Sequence, residues 1–277
     1  MSVTGPNESV LMKYLFDSWE TIVSKIKEAR HAMLMFDFDG TLTPIVDTPE
    51  MAKLYEQTRV LLKSLARSHN FTVAVVSGRA INDLQCKVAV PGIIYAGNHG
   101  LEIEGPGMSF VHPIIDEIKP VLRVIGLVLK KTLGTMRGVV VEDKGLTLSV
   151  HYRLVDDEKA YEVKSIVENT VGVAEVLGKV RTTPGKKVHE VRPNVPWDKG
   201  KAIKYIMKRY GKGGRKSGLL PIYLGDDLTD EDAFSVVESY GGIAVYVGGE
   251  NNLSIASYYL NSSGEVDELI KELLRLD

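Results

Sequence analysis

Short apolar runs alternating with helically spaced stretches organise most of this chain. Ala32 to Phe36, Phe71 to Val76, Ile93 to Ala96, Leu219 to Leu224 and Ile243 to Val247 are each four to six residues long, which predicts buried strands rather than helices. Helical patterns run roughly from Gln57 to Arg67 and from Glu265 to Leu276, with another between the second and third strands. That rhythm predicts parallel βα units. After the turn-forming G-P-G at Gly105 to Gly107 the texture changes. A helix-like stretch near Ile114 to Thr132 precedes a hairpin pattern, Gly138 to Glu142 and Thr147 to Arg153 joined by D-K-G. A second helix near Glu158 to Val171 and more short strands follow, up to Pro193. This region predicts an α/β unit inserted into the βα succession, which resumes beyond Trp197. At the other end, Leu11, Tyr14, Leu15, Trp19, Ile22, Val23 and Ile26 recur at three and four residues, which predicts an amphipathic helix from Val10 to Ala29 packed on the core. The expected division is an N-terminal helix over 1–30, a core domain over 31–107 and 194–277, and an inserted domain over 108–193.

Composition narrows the partners. With 277 residues, 44% of them hydrophobic, the chain can bury one large or two modest cores. A net charge of -2 supplies no general basic surface, so neither nucleic acid nor membrane is an expected partner and attraction for an anionic substrate has to be local. The basic residues Lys208, Arg209, Lys212, Arg215 and Lys216, interleaved with glycines, read as a solvated loop. No apolar stretch approaches the roughly 20 residues that span a bilayer. Glu8, Asp17 and Glu20 interrupt any signal-peptide core, and a cytoplasmic location is expected. The single Cys86 excludes an intramolecular disulfide and reads as a structural thiol.

Two acidic clusters carry the chemistry. Asp37 and Asp39 stand in D-F-D-G-T-L-T where the first apolar run ends, and G-D-D-L-T-D-E-D, from Gly225 to Asp232, follows the run at 219–224. In an open α/β sheet, ligands bind beyond the carboxyl ends of the strands, so both clusters can converge on one centre. A carboxylate such as Asp37 can attack a phosphoryl group and form an aspartyl-phosphate. Its repulsion from a dianionic ester then has to be offset by cations. Mg2+ suits one or two carboxylates plus a substrate phosphate, here Asp37, a backbone carbonyl near Asp39, and Asp226. Ser77, before Gly78, offers a hydroxyl donor; Lys199 in W-D-K-G-K-A offers a fixed charge; Asp39 serves as general acid and then base.

D-x-D-G-T, S-G-R, D-K-G and G-D-D occur in the order found in the haloacid dehalogenase superfamily of phosphatases, which this chain resembles. D-F-D-G-T-L-T-P-I-V, A-G-N-H-G-L-E, H-Y-R, G-K-K-V-H-E-V-R-P, W-D-K-G-K-A and L-G-D-D-L-T-D-E-D-A-F further resemble trehalose-6-phosphate phosphatases, over roughly Leu34 to Leu274. The resemblance implies a Rossmann-like catalytic core, an α/β cap between the second and third motifs, and hydrolysis of trehalose 6-phosphate with Mg2+. It also implies a functional link to a trehalose-phosphate synthase; a monomer is expected.

In that family, cap residues that hold the sugar map onto Glu142, Lys144, Arg153, Lys186 and Glu190. Read by themselves, Glu142 with Lys144 and His151 with Arg153 are exposed cross-strand ion pairs. Arg79 is counted with the substrate contacts, as a residue that holds the active-site loop or the phosphate, although helix capping or surface pairing fits it equally. Asp227 and Asp230 are expected behind the reacting groups; for Asp230 and Asp232 two readings stand, orienting Lys199 or metal waters, or favouring the next helix N-terminus. His99, in G-N-H-G, reads as a turn histidine bonded to backbone. The cap connections are expected near Gly105 and Pro193, where substitutions disturb turnover. Alternatives are a phosphatase of a sucrose, glucosylglycerol or mannosylglycerate phosphate, and a non-catalytic sugar-phosphate sensor, against which the intact Asp37, Asp39, Lys199 and Asp226 argue.

Overall fold

The computed structural model describes residues 12–185, 187–210, 218–251 and 253–276. Its centre is a sheet whose strands, in spatial order, are β1 (Lys13–Tyr14), β13 (Tyr258–Leu260), β12 (Ile243–Val247), β11 (Leu219–Gly225), β2 (His31–Phe36), β3 (Phe71–Val76), β4 (Ile94–Gly97), β5 (Glu102–Gly105) and β6 (Met108–Val111). Every neighbouring pair from β1 to β4 is parallel, whereas the pairs β4–β5 and β5–β6 are antiparallel.

Alternate residues of the central strands enter different layers, as strand geometry requires. Leu34, Phe36, Val73, Val75, Ile222 and Leu224 pack with α2 (Glu56–Arg67), α3 (Ile81–Val88) and α8 (Ser263–Leu274). Met33, Met35, Ala74, Val76 and Tyr223 face α6 (Lys199–Tyr210) and α7 (Glu231–Ser239). Burial on both faces explains why these strands are continuous apolar runs. The succession β2, α2, β3, α3, β4 winds one way from β2, whereas β11 and β12 lie on its other flank. The switch point therefore falls between β2 and β11.

A second, four-stranded antiparallel sheet has the order β7 (Val140–Asp143), β8 (Leu148–His151), β10 (Val188–Pro193), β9 (Val180–Gly185). Helices α4 (Ile115–Leu133) and α5 (Asp157–Val176) cover one face with a separate core: Ile118, Leu122, Ile125 and Leu129 against Leu148, Val150, Val163, Val167 and Val191. The opposite face is polar, and its register places Glu142, Ser149, Glu190 and Thr183 in one row across the four strands.

Several expectations are corrected. The N-terminal amphipathic stretch is not one helix: α1 spans only Trp19–Glu28, after a 3-10 turn at Phe16–Ser18 and the edge strand β1. The open edge of β13 captures this backbone, Lys13 N–H donating to the Ser257 carbonyl and Leu15 N–H to that of Tyr259, each at 3.0 Å. Leu15 and Ile22 are buried in the main core, so the segment is part of the large layer; Val10 and Leu11 lie outside the described residues. The large sheet also continues past 107 through β6. Gly105 consequently lies in the β5–β6 hairpin, opposite Met108, and the chain leaves this sheet only beyond Val111. Cys86 is exposed on α3 rather than packed. Lys208 and Arg209 end helix α6 instead of lying in a loop; Lys212, Arg215 and Lys216 fall outside the described residues.

Candidate active site

Asp37 follows β2, Asp226 follows β11 and Ser77 follows β3, so three adjacent parallel strands deliver them to one crevice at the switch point. Helix α6 adds Lys199 from its first position. The Lys199 ammonium lies 2.9 Å from Asp37 Oδ1 and 2.7 Å from Asp230 Oδ1, all three groups being buried. Asp230 also accepts from the Tyr223 hydroxyl at 2.5 Å and from the backbone N–H groups of Asp226 and Asp227 at 3.0 and 3.1 Å. With both its oxygens engaged in this way, Asp230 holds Lys199 and the turn that presents Asp226.

Asp227 accepts from the Thr229 N–H and hydroxyl at 2.8 and 2.7 Å and caps the turn at Leu228–Asp230. Burial tends to raise the Asp227 carboxyl, but Lys199 and the Thr229 hydrogen bonds outweigh that and hold it low. Gly40, at φ +86°, leaves the room that Asp226 occupies: a Cβ there would lie 2.3 Å from its carboxylate.

Asp37, Asp226 and Asp230 bring carboxylate oxygens within 4.8 Å of one another. Burial drives the Asp37 carboxyl well above its ordinary range, against the opposing pull of Lys199. Burial likewise disfavours the Lys199 charge, yet Asp230 and Asp37 keep the ammonium protonated well above the usual lysine value. A crowded all-oxygen site with one counter-charge is the environment that a hard divalent cation relieves, so these residues fit Mg2+. Since Asp230 is occupied by four donors, Asp37 and Asp226 are the side chains suited to hold it.

Asp39 is placed differently. Its carboxylate, about two-fifths exposed, receives two hydrogen bonds of 2.7 Å from Arg79, which also donates to Asp83 at 2.7 Å and to the Pro49 carbonyl at 2.9 Å. Arg79 further lies 5.2 Å over the Phe38 ring. Its guanidinium is thus committed to protein groups, and the expected substrate contact becomes a clamp on Asp39. Burial works against its charge, but Asp39 and Asp83 raise its affinity for the proton further still.

The polar face of the small sheet closes the same cleft. Glu142, Lys144, Arg153 and Glu190 line it together with Asp37, Asp39, Ser77, Arg79, Lys199 and Asp226. Lys144 is 3.2 Å from Glu190 Oε1 and 4.0 Å from Glu142 Oε2, while His151 is 2.9 Å from Glu142. All four of these side chains are less than a quarter exposed, so they are not surface ion pairs: Glu142 and His151 at 22%, Lys144 at 8% and Glu190 at 12%. Arg153 reaches across to the Val46 carbonyl. Burial alone would raise Glu190, but His99 and Lys144 hold its carboxyl well below the usual range; Glu142, likewise opposed by burial, is lowered by the His151 hydrogen bond and Lys144. Lys186 lies outside the described residues.

Sequence reasoning missed three residues. His99 does not satisfy backbone groups through its ring: its Nε2 lies 2.8 Å from Glu190 of the small sheet. Tyr223 supports Asp230, and Asp83 anchors Arg79 four residues on. For Asp83 the i,i+4 spacing was a usable signal. Tyr223 is embedded in an apolar strand, where no sequence pattern marks it.

A switch-point site with paired strand-end carboxylates and a buried lysine, under a separate α/β layer, defines a core of the haloacid dehalogenase type. A solved haloacid dehalogenase-like hydrolase from Bacteroides thetaiotaomicron shares this fold at TM-score 0.60 and 17% identity, covering 88% of this chain and 99% of that one. The trehalose-phosphatase family model matches residues 35–263, and the chain belongs to that family. It is 33% identical over 262 residues to the probable trehalose-phosphate phosphatase D of Arabidopsis thaliana, covering 91% of this chain and 69% of that protein. It is 38% identical over 250 residues to the trehalose-phosphate phosphatase of Mycobacterium tuberculosis (strain ATCC 25618 / H37Rv), covering 89% of this chain and 62% of that one. The C-terminal domain of the Candida albicans trehalose-6-phosphate phosphatase shares the fold at TM-score 0.82 and 23% identity, covering 98% of this chain and all of that one.

Proposed function

We propose that the chain hydrolyses trehalose 6-phosphate to trehalose and inorganic phosphate. The observation that carries this reading is the shared cleft in which Asp37, Asp226 and Lys199 face Glu142 and Glu190 of the small sheet, with Lys144 beside them. In this reading Asp37 attacks phosphorus as the ester bond to the sugar breaks, forming an aspartyl-phosphate. Asp39 gives its proton to the departing sugar oxygen, then takes one from the water that attacks phosphorus and frees Asp37. Ser77 and Lys199 hold phosphoryl oxygens, and Asp230 with Tyr223 keeps Lys199 aimed at Asp37. Asp37, the Asp39 backbone carbonyl and Asp226 would hold Mg2+, which when bound neutralises charge on the phosphoryl group.

The small sheet acts as a cap in this scheme. Glu142 and Glu190 accept from sugar hydroxyls, while Lys144, Arg153 and Lys186 donate to sugar oxygens. The cap turns on the connections after Val111 and after Pro193, admitting substrate and then excluding bulk water. The chemistry links the chain to a trehalose-phosphate synthase as the source of the ester, with the protein a cytoplasmic monomer.

The test is phosphate release from trehalose 6-phosphate beside sucrose 6-phosphate, glucose 6-phosphate and glucosylglycerol phosphate, with Mg2+ and with chelator. Selective, metal-dependent release from trehalose 6-phosphate that Asp37→Asn abolishes is expected. Preference for another ester overturns the sugar assignment, and release from none overturns the enzyme.

A further inference from the structure

Asn98 and His99 are consecutive non-glycine residues in the left-handed region, at φ 49° and 57°, and both are buried. Such conformations are costly except where the surroundings impose them, and they concentrate at functional sites. Here the surroundings come from both layers. On the core side, His99 N–H donates to the Ser77 carbonyl at 2.9 Å. Gly78 leaves room for the ring, since a Cβ on Gly78 would stand 2.7 Å from His99 Nε2. On the other side, Asn98 Oδ1 accepts from the Thr147 hydroxyl at 2.8 Å, and His99 Nε2 reaches Glu190 Oε2 at 2.8 Å. One turn therefore touches the Ser77 loop and the sugar-facing row at once.

The ring's protonation follows from its contacts. Nε2 carries hydrogen toward the Glu190 carboxylate, whereas Nδ1 is buried and makes no hydrogen bond among the described residues. Protonating Nδ1 would bury an N–H without an acceptor. Burial accordingly lowers the His99 pKa to about 4, despite Glu190 beside it. The ring is a neutral donor at physiological pH. Glu190 then has one oxygen fixed by His99 and the other near Lys144, which sets the direction in which both present themselves to the cleft.

We infer that His99 is a positioning residue for sugar specificity: it ties Glu190, and through Glu190 Lys144, to the backbone of the Ser77 loop. This rests on the phosphatase reading above. His99 touches neither the phosphoryl group nor the sugar in this role. It sets where the sugar lies relative to Asp37.

The test compares wild type, His99→Asn, His99→Gln, Glu190→Gln and the double variant His99→Asn with Glu190→Gln. Asparagine tolerates the left-handed backbone but is too short to reach Glu190; glutamine restores a donor at the distance of Nε2. For trehalose 6-phosphate, His99→Asn should lose roughly 10- to 100-fold in kcat/KM, and the double variant should lose no more than the worse single one. His99→Gln should recover to within about five-fold of wild type. Inhibition by inorganic phosphate should stay within about three-fold throughout, because the phosphoryl half is untouched. Thermal melting of each variant serves as the folding control. Additive losses, a His99→Gln variant as impaired as His99→Asn, or weakened phosphate inhibition would overturn the inference. If the wild type prefers another glycosyl phosphate, the same comparison on that ester decides the role of His99 separately; if it releases phosphate from none, both readings fall.

Discussion

The two walls of the cleft are built on opposite plans. The wall proposed to hold the phosphoryl group hangs from the ends of three parallel strands and a helix N-terminus, and its groups are fixed by hydrogen bonds within the core, Lys199 between Asp37 and Asp230 above all. The wall proposed to hold the sugar uses side chains in and beside antiparallel strands of a separate layer, where Glu142, Ser149 and Glu190 share a row only because of the register. The first wall is preorganised for one reaction. The second can be rewritten at single positions without disturbing the first, a division suited to a fold that serves many substrates.

The sharpest way to break this contrast is at Asp37. Asp37→Asn leaves shape and hydrogen-bonding capacity but removes the nucleophile, so phosphate release should fall by at least about 10³-fold. A variant retaining a tenth of wild-type release would remove the aspartyl-phosphate from the scheme. Lys199→Met probes the same wall through stability as well. It leaves two buried carboxylates, Asp37 and Asp230, without their shared cation, and breaking a buried pair costs about 3–5 kcal/mol. Denaturant midpoints and turnover should both drop, whereas Lys144→Met in the other wall should impair turnover of the sugar ester with a smaller loss of stability.

Metal addition sharpens the contrast without substituting the reacting groups. Mg2+ at about 100 times its dissociation constant should stabilise the fold by about 2.7 kcal/mol, readable in melting without substrate. Asp226→Asn should abolish that gain, and Glu142→Gln should leave it intact. Equal metal stabilisation in wild type and Asp226→Asn would move the cation elsewhere.

These tests bear on what a sequence can carry. The phosphoryl wall was legible because its parts are punctuated: Asp37, Ser77 and Asp226 each end a continuous apolar run, and a strand end in a parallel sheet is already a location. Nothing comparable marks the sugar wall. Glu142 and Glu190 lie 48 positions apart in the chain, and only pairing of both with Ser149 makes them neighbours. Read by itself Glu142 was half of a surface ion pair with Lys144, and Glu190 was singled out only by the family resemblance, which alone pointed both to the sugar. The N-terminal segment misled for a related reason. Two residues of β1 are too few to show a period of two, and the turn that follows kept helical spacing running into α1. His99 was read by its local turn, yet its partner belongs to the other layer.

The smallest effect separates the walls by pH. His99 has its folded pKa lowered to about 4 from an ordinary 6.5, chiefly by burial. The unfolded chain therefore takes up this proton first as pH falls, and the folded state loses ground progressively between about pH 6.5 and pH 4; above that window the contribution is complete. Between pH 7.5 and 5 the loss amounts to about 2 kcal/mol for a group shifted this far. Burial also lowers His31, His112 and His189, so the total acid sensitivity is shared. The difference between wild type and His99→Gln isolates the one ring: melting temperatures of the two should converge by a few degrees as pH falls from 7.5 to 5, since glutamine has no proton to gain. Parallel curves would show that His99 titrates alike in both states, and curves that diverge as pH falls would show an imidazolium favoured by Glu190; either outcome would remove the neutral donor.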